Sequence, residues 1–334
     1  MLSPLPMVPV QHTPSLPPAL SAGLPTLITD EGENAAHRFV EFFTARIRNK
    51  NTRQAYARAT GQFLNWCEQS GLTLHSIKPM HVGTYIEQKI TTASTATVKQ
   101  HLAALKHVFD WMVLGQVMAS NPALSVRGPK LSRSTETTPI LTEAQARQLL
   151  DSIPTNTLAG LRDKAIISVM LYTFARVTAL TSATVAAYRT SGTVGQLRLK
   201  EKGGKEITVP LHHEAQHALA AYLEAAGIAD QKKTPLFRSV QRHTRGRVLS
   251  DQALARQDVW AMIRRRCKRA GLSADTFGCH TMRGTGITAY LSNQGSLELA
   301  QGMANHADIG TTRLYDRRNQ RITQSEVERI RFDR

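Results

Sequence analysis

Six residues in the second half of the chain could do chemistry together: Arg176, Lys202, His280, Arg283, His306 and Tyr315. Arg176 sits in FARVTAL, just behind an apolar run. Lys202 lies in EKGGK, at the tip of a predicted hairpin. His280 and Arg283 form HTMR, three apart and so on one face of a helix. His306 and Tyr315 share the run MANHADIGTTRLYDR, nine residues apart. Taken singly, each has a plain account: a surface charge, a solvated turn, a satisfied histidine, a tyrosine in a core. Taken together, they match the needs of metal-free attack on a phosphodiester.

That attack gathers negative charge on the non-bridging oxygens, which planar guanidiniums can hold by paired hydrogen bonds. Preorganised charge of this kind is often the largest rate term in an enzyme. A tyrosine, with a free pKa of about 10, is a weak nucleophile and needs a base or a positive field beside it. The departing sugar oxygen is more basic still and needs a proton. A lysine among cations can supply one, because its neighbours lower its pKa.

Helices and one hairpin must position these groups, so a mainly α chain with a small β-hairpin or sheet (α+β) is expected. Residues 1–36 are proline-rich, lack a helical period, and read as a disordered arm. Residues 37–125 read as a bundle of four helices: a short one from Arg38 to Arg48, one capped by Asn51 or Thr52, one opened by Pro79, and one from about Ser94 to Leu114. Residues 126–140, with Gly128, Pro129, Pro139 and several basic residues, read as a linker. Residues 141–334 form the second domain. Thr142 and Gln145 make a capping box, and Leu161 to Phe174 is an apolar helix. QLRLKEKGGKEITVPL, from Gln196 to Leu211, is a hairpin with a glycine turn. Helices resume at 214–226, 253–270, 281–292, 297–304 and 309–315, and a short one is predicted near 323–332.

The 334 residues carry 42 Lys and Arg against 25 Asp and Glu, a formal charge of +17. The mean hydropathy of -0.27 is that of a globular protein. Such a cationic excess favours a polyanion partner, because each neutralised phosphate releases condensed counterions. Arg53, Lys99, Lys106, Arg264 and Arg265 are the candidate DNA contacts, the last two within the basic run Arg264 to Arg269. Three cysteines, none in a CxxC pair, suit a reducing compartment. No apolar run approaches the roughly 18 residues of a membrane span, and the N-terminus lacks a basic n-region. The expectation is a cytoplasmic, nucleoid-associated bacterial protein without a membrane partner.

The six residues and their order resemble the tyrosine recombinase, or phage integrase, family. The match spans about residues 37–332 and is strongest over 160–332. The family's first arginine corresponds to Arg176, its hairpin lysine to Lys202, its His-x-x-Arg box to His280 and Arg283, its second histidine to His306, and its nucleophile to Tyr315. The resemblance implies a helical core-binding (SAM-like) domain at 37–125 and a catalytic domain at 141–334, clamped around double-stranded DNA. It implies that Tyr315 attacks the scissile phosphate to give a 3′-phosphotyrosyl bond and a free 5′-hydroxyl. Arg176 and Arg283 would hold the phosphate, His280 would assist proton transfer, His306 would hydrogen-bond the phosphate, and Lys202 would protonate the leaving oxygen. Site-specific recombination follows: integration, excision or resolution of a mobile element, with no cofactor or metal. Four protomers on DNA, from a monomer or dimer in solution, and accessory proteins also follow. The helix near 323–332 would dock on a neighbour.

Three positions depart from the family pattern. Phe174 replaces a glycine two before Arg176, Ala179 stands where an acidic residue braces that arginine, and Gly284 follows Arg283 where histidine is common. Glu201 and Asp316 are candidates for the missing brace. A type IB topoisomerase would use similar groups without pairing two sites, and a DNA-binding regulator with a decayed active site would retain only the binding. A metal site at His212, His213 and His217 would need a cysteine or carboxylate cluster that the sequence does not supply.

Binding driven by this charge falls steeply with salt. Raising salt from 50 to 200 mM should weaken duplex binding by about 10³-fold or more, read by fluorescence anisotropy. A flat response would contradict a backbone-dominated interface.

Overall fold

The computed structural model describes residues 23–130, 138–201, 204–241, 243–245, 247–316 and 327–328. Lys202, residues 1–22 of the expected arm, and nearly all of the expected 323–332 helix lie outside the described residues. The chain divides into two compact units, Met1–Ser132 and Arg133–Arg334.

The first unit is helical. Thr26–Thr29 (α1) and Glu33–Glu41 (α2) lead through a π-turn at Phe42–Arg46 into Lys50–Gln69 (α3), Pro79–Thr92 (α4) and Thr95–Leu114 (α5). Asn49 caps α3: its side chain accepts from the backbone N–H groups of Asn51 and Thr52 at 3.0 and 3.2 Å. The cap thus falls two residues before the first predicted position. Pro79 opens α4, and Ser94 caps α5 through the Thr97 N–H at 3.2 Å. Phe63, Leu64, Tyr85, Ile86, Leu105, Val108 and Phe109 interlock as the core.

The expected disorder of residues 1–36 does not hold from Pro25 onward. Leu27 and Ile28 are only 7% and 1% exposed and join the same core, as do Ala35 and Ala36. Pro25 hid this in the sequence. It is the N-cap of α1, where proline's missing N–H costs nothing, and an apolar pair in so short a helix makes no detectable period.

The second unit opens with Glu143–Asp151 (α6), whose capping box between Thr142 and Gln145 forms as read. Leu158–Thr173 (α7) is buried along most of its length, and the short Val177–Thr181 (α8) follows it. Tyr188–Ser191 (β1), Val194–Lys200 (β2) and Glu206–Pro210 (β3) form an antiparallel sheet in that order. The predicted hairpin is its β2–β3 half, with Leu197 opposite Val209 and Lys200 opposite Glu206. His213–Ala226 (α9) packs on α7. Arg238–Val240 (β4) and Leu249–Ala253 (β5) add a second small sheet before Arg256–Arg269 (α10). Cys279–Ser292 (α11), Leu297–Ala304 (α12) and Ile309–Arg313 (α13) complete the described elements. Among the described residues, no helix is long and apolar enough to cross a membrane.

One member of the basic run on α10 turns inward. Arg266 donates through Nε and Nη2 to one carboxylate oxygen of Asp163 at 3.0 and 2.7 Å. Arg162 donates to the other at 3.1 and 2.7 Å, and reaches the Arg238 carbonyl at 2.8 Å. This buried network ties α7, α10 and β4 together. Arg266 is therefore a structural charge, whereas Arg265, Lys268 and Arg269 face solvent.

Helices α7 and α11 approach closely at Gly286, where a Cβ would collide with the Leu171 carbonyl oxygen. A backbone atom cannot move aside as a side chain can. Gly286→Ala should therefore destabilise the unit by about 3 kcal/mol, the upper end of ordinary overpacking costs, read as a lowered denaturation midpoint. An unchanged midpoint would mean that the two helices are free to separate.

Candidate active site

The site grows from the end of α7. Its C-cap, Phe174, adopts the left-handed conformation, with φ 57° and ψ 22°. Two residues later Arg176 serves as the N-cap of α8. The left-handed turn explains why glycine suits this position, since it alone enters that region without a Cβ penalty. Here the phenyl ring compensates. Phe174 is 2% exposed and packs with Ile287, Leu291, Ala300, Ala304 and Tyr315.

Arg283 lies one helical turn into α11 and is 2% exposed. A buried cation must be hydrogen-bonded, and three groups answer. Its Nη1 donates to the Phe174 carbonyl, the one freed at the left-handed turn. Its Nη2 donates to the Ala304 carbonyl at 2.5 Å, at the end of α12, and meets His306 Nε2 at 2.7 Å. A guanidinium can only donate, so Nε2 accepts and the ring proton sits on Nδ1, which is 2.9 Å from Thr312 Oγ1. Burial, reinforced by the Arg176 charge and opposed by Glu201 and Tyr315, pulls the Arg283 pKa down to about 10. That is still far above neutrality, so the group keeps its charge.

Asn305, in the left-handed conformation at φ 46°, ends α12 and turns the chain so that His306 faces Arg283. The His306 and Tyr315 rings lie nearly parallel, 13° apart in plane and 6.1 Å between centroids. Tyr315 is 3% exposed, and the Thr288 hydroxyl holds its carbonyl at 3.1 Å. A Cβ on Gly284 would come within 3.1 Å of the Tyr315 ring, so the departure at 284 leaves room for the phenol. His280 sits exposed in the first turn of α11, one turn ahead of Arg283.

Arg176 keeps more of its surface open, with a side chain 29% exposed. Its Nη1 donates to Glu201, whose side chain is 3% exposed, and its Nη2 reaches the Asn305 carbonyl at 3.5 Å. Arg176, Arg283, His306 and Tyr315 are thus gathered at one place by α7, α11, α12 and α13. Glu201, proposed with Asp316 for the missing brace, is the carboxylate that meets Arg176. Thr312, Thr288 and the carbonyls of Phe174 and Ala304 went unread, because threonines and backbone oxygens carry no chemical signature in a sequence.

The other candidates lie elsewhere. Arg53 closes its own turn, donating through Nε and Nη2 to the Ile47 carbonyl at 3.1 and 2.8 Å. Lys99 is exposed and Lys106 half-buried on α5. Arg265 is exposed on α10, while Arg264 lies over the Trp260 ring, 4.6 Å from its centroid, and pairs with Asp275. His212 stacks on Tyr172 at 4.1 Å, and burial holds its pKa below the usual value. His213 and His217 lie 6.3 Å apart between ring centroids. Among the described residues, no three His, Cys, Asp or Glu side chains are grouped to hold a metal ion.

Residues 139–321 match the phage integrase family, and residues 36–117 match its N-terminal SAM-like domain. Tyrosine recombinase XerD of Oceanobacillus iheyensis is 31% identical over 222 residues, covering 66% of this chain and 71% of that protein. Tyrosine recombinase XerD of Xanthomonas campestris is 28% identical over 299 residues, covering 85% and 88%. The fold is similar to that of XerH recombinase in a pre-cleavage complex with its difH substrate, at a TM-score of 0.64, 16% identity and 91% and 95% coverage. It is similar also to a lambda integrase tetramer bound to a Holliday junction, at 0.62, 18%, and 86% and 78%.

Phe174 sets two effects against each other. Phe174→Gly removes left-handed strain of about 1–2 kcal/mol. It also deletes a buried ring whose loss costs about 3–5 kcal/mol. A net destabilisation of about 2–3 kcal/mol in chemical denaturation is expected. A more stable variant would show that strain, and not packing, governs this turn.

Proposed function

The chain belongs to the phage integrase family, the tyrosine recombinases, and on that premise we propose that it exchanges DNA strands at a specific site through a 3′-phosphotyrosyl bond made by Tyr315. The observation that carries this reading is the buried Arg283, bonded to His306 and set against the Tyr315 ring. A lone core tyrosine would have no reason to share its pocket with a guanidinium. The solvent-open side of Arg176 supports the reading too, since it leaves donors for a phosphate arriving from outside.

In the proposed reaction the Tyr315 oxygen attacks the scissile phosphorus while the bond to the sugar 5′-oxygen breaks. His280 assists removal of the phenolic proton, and Lys202 delivers a proton to the departing 5′-oxygen. Arg176 and Arg283 hold the charge that builds on the non-bridging oxygens. His306 now accepts from Arg283 at Nε2 and carries its proton at Nδ1, so it donates to a phosphate oxygen either through Nδ1, in place of Thr312, or through Nε2 once the pair with Arg283 rearranges. A 5′-hydroxyl from a partner duplex then attacks the phosphotyrosine and restores the phenol. One phosphodiester replaces another, so the step needs no energy source.

Two such exchanges join two duplexes, which calls for four protomers on DNA assembled from monomers or dimers, with accessory proteins setting direction. XerH and lambda integrase are DNA-bound in the structures compared, the latter as a tetramer on a junction. Integration, excision or resolution of a mobile element in the bacterial nucleoid is the biological setting we assign to this chemistry.

The test uses a nicked duplex recovered by selection from random-sequence DNA on the purified chain. The wild-type protein should form a covalent adduct visible on a denaturing gel. Tyr315→Phe should bind the duplex as tightly and form none. An adduct persisting in the phenylalanine variant would remove Tyr315 from the role.

A further inference from the structure

Ala179, where the family places an acidic brace, is 2% exposed and has a methyl side chain that cannot hold a guanidinium. A guanidinium that must hold a phosphate at a fixed angle cannot be left to its own rotamers, because a misplacement of about 1 Å can cost about 10²-fold in rate. Arg176 nonetheless has a buried carboxylate beside it, on a different element. Glu201 follows directly on β2, and its side chain is 3% exposed. Burying a carboxylate is costly unless it is paired, and the described partner is the Arg176 Nη1 group.

Glu201 also closes the end of the hairpin. Its N–H donates to the Lys205 carbonyl at 2.7 Å, and its carbonyl accepts from the Gly204 N–H at 3.2 Å. Both backbone groups of one residue are thus committed to the turn while its side chain is committed to Arg176. The side chain has little freedom to follow the arginine elsewhere. The arginine must come to it, with one face of the guanidinium held and the other left toward solvent.

We infer that Glu201 is the positioning residue for Arg176, a brace supplied by the β2–β3 hairpin in place of the helix position now occupied by Ala179. It touches no DNA; it acts by fixing the plane of the guanidinium. The placement of the phosphate-holding group therefore depends on the sheet as well as on the helices. This rests on the reading of Arg176 as a phosphate-holding group.

The test measures single-turnover cleavage of the selected nicked duplex by the full chain. The wild-type protein is the control: if it forms no adduct, the recombinase reading itself fails, whatever Glu201 does. Given wild-type cleavage, Glu201→Gln should slow it about 100-fold while duplex affinity stays within about twofold of wild type and the protein remains folded. Adding Ala179→Glu, which returns a carboxylate to the same guanidinium from α8, should regain at least about tenfold. A rate for Glu201→Gln within about twofold of wild type overturns the inference. So does a loss in which affinity and melting temperature fall together and Ala179→Glu restores nothing, since that is the behaviour of a turn residue. Should Glu201→Gln fail to fold, Glu201→Asp keeps the charge on a shorter arm. It should slow cleavage about tenfold, and a wild-type rate would overturn the inference equally.

Discussion

The structure of the second unit is organised by the need to bury a positive charge. Arg283 lies 2% exposed between α7, α11 and α12. A cation so placed is tolerable only if its donors find oxygen or nitrogen acceptors, and here the acceptors come from two chain reversals, at Phe174 and at Asn305. The left-handed Phe174 turn offers one carbonyl, the end of α12 a second, and His306 a ring nitrogen. None of these is an anion. Among the described residues Arg283 is therefore bonded to neutral acceptors, while the Glu201 carboxylate that eases its charge is bonded to Arg176, and a cation buried in this way is held at a cost.

That cost explains features that look like defects when taken alone. A bulky residue in the left-handed region and a helix-ending asparagine with positive φ are unfavourable locally, and so, more mildly, is a glycine inside α11 beside the arginine. Each serves the same cluster. Phe174 aims a carbonyl and fills the space under Tyr315, Asn305 swings His306 around, and Gly284 admits the phenol ring. Strain kept at a site by the packing around it is a common way of holding functional groups in place.

The positive charge of the chain serves two purposes. Arg162 and Arg266 are spent on Asp163 inside the second unit, and Arg53 closes a turn in the first. Exposed Lys99, Arg265, Lys268 and Arg269 remain on helix surfaces, where they can meet a polyanion. A count of basic residues does not distinguish these groups, because an arginine buried with a partner and one facing water contribute the same formal charge.

Residue types and spacing marked the long helices, the capping box at Thr142 and the β2–β3 hairpin, and with the family resemblance they singled out Arg176, Arg283, His306 and Tyr315, which the fold brings together. Periodicity and short motifs are local, and local rules read them. Sequence reading failed where a residue's meaning depends on what arrives from elsewhere in the chain. Leu27 and Ile28 looked like part of a proline-rich arm until the core of the first unit reached them. Arg266 was indistinguishable from its basic neighbours until Asp163 met it from α7. The carboxylate that pairs with Arg176 could not be chosen between Glu201 and Asp316, because nothing in the chain's order says which carboxylate will stand beside a guanidinium 25 residues away from Glu201. Which groups could do the chemistry was thus written in the order of the amino acids; where each donor, acceptor and counter-charge points was decided only by packing, since contact between distant segments exists only once they fold together.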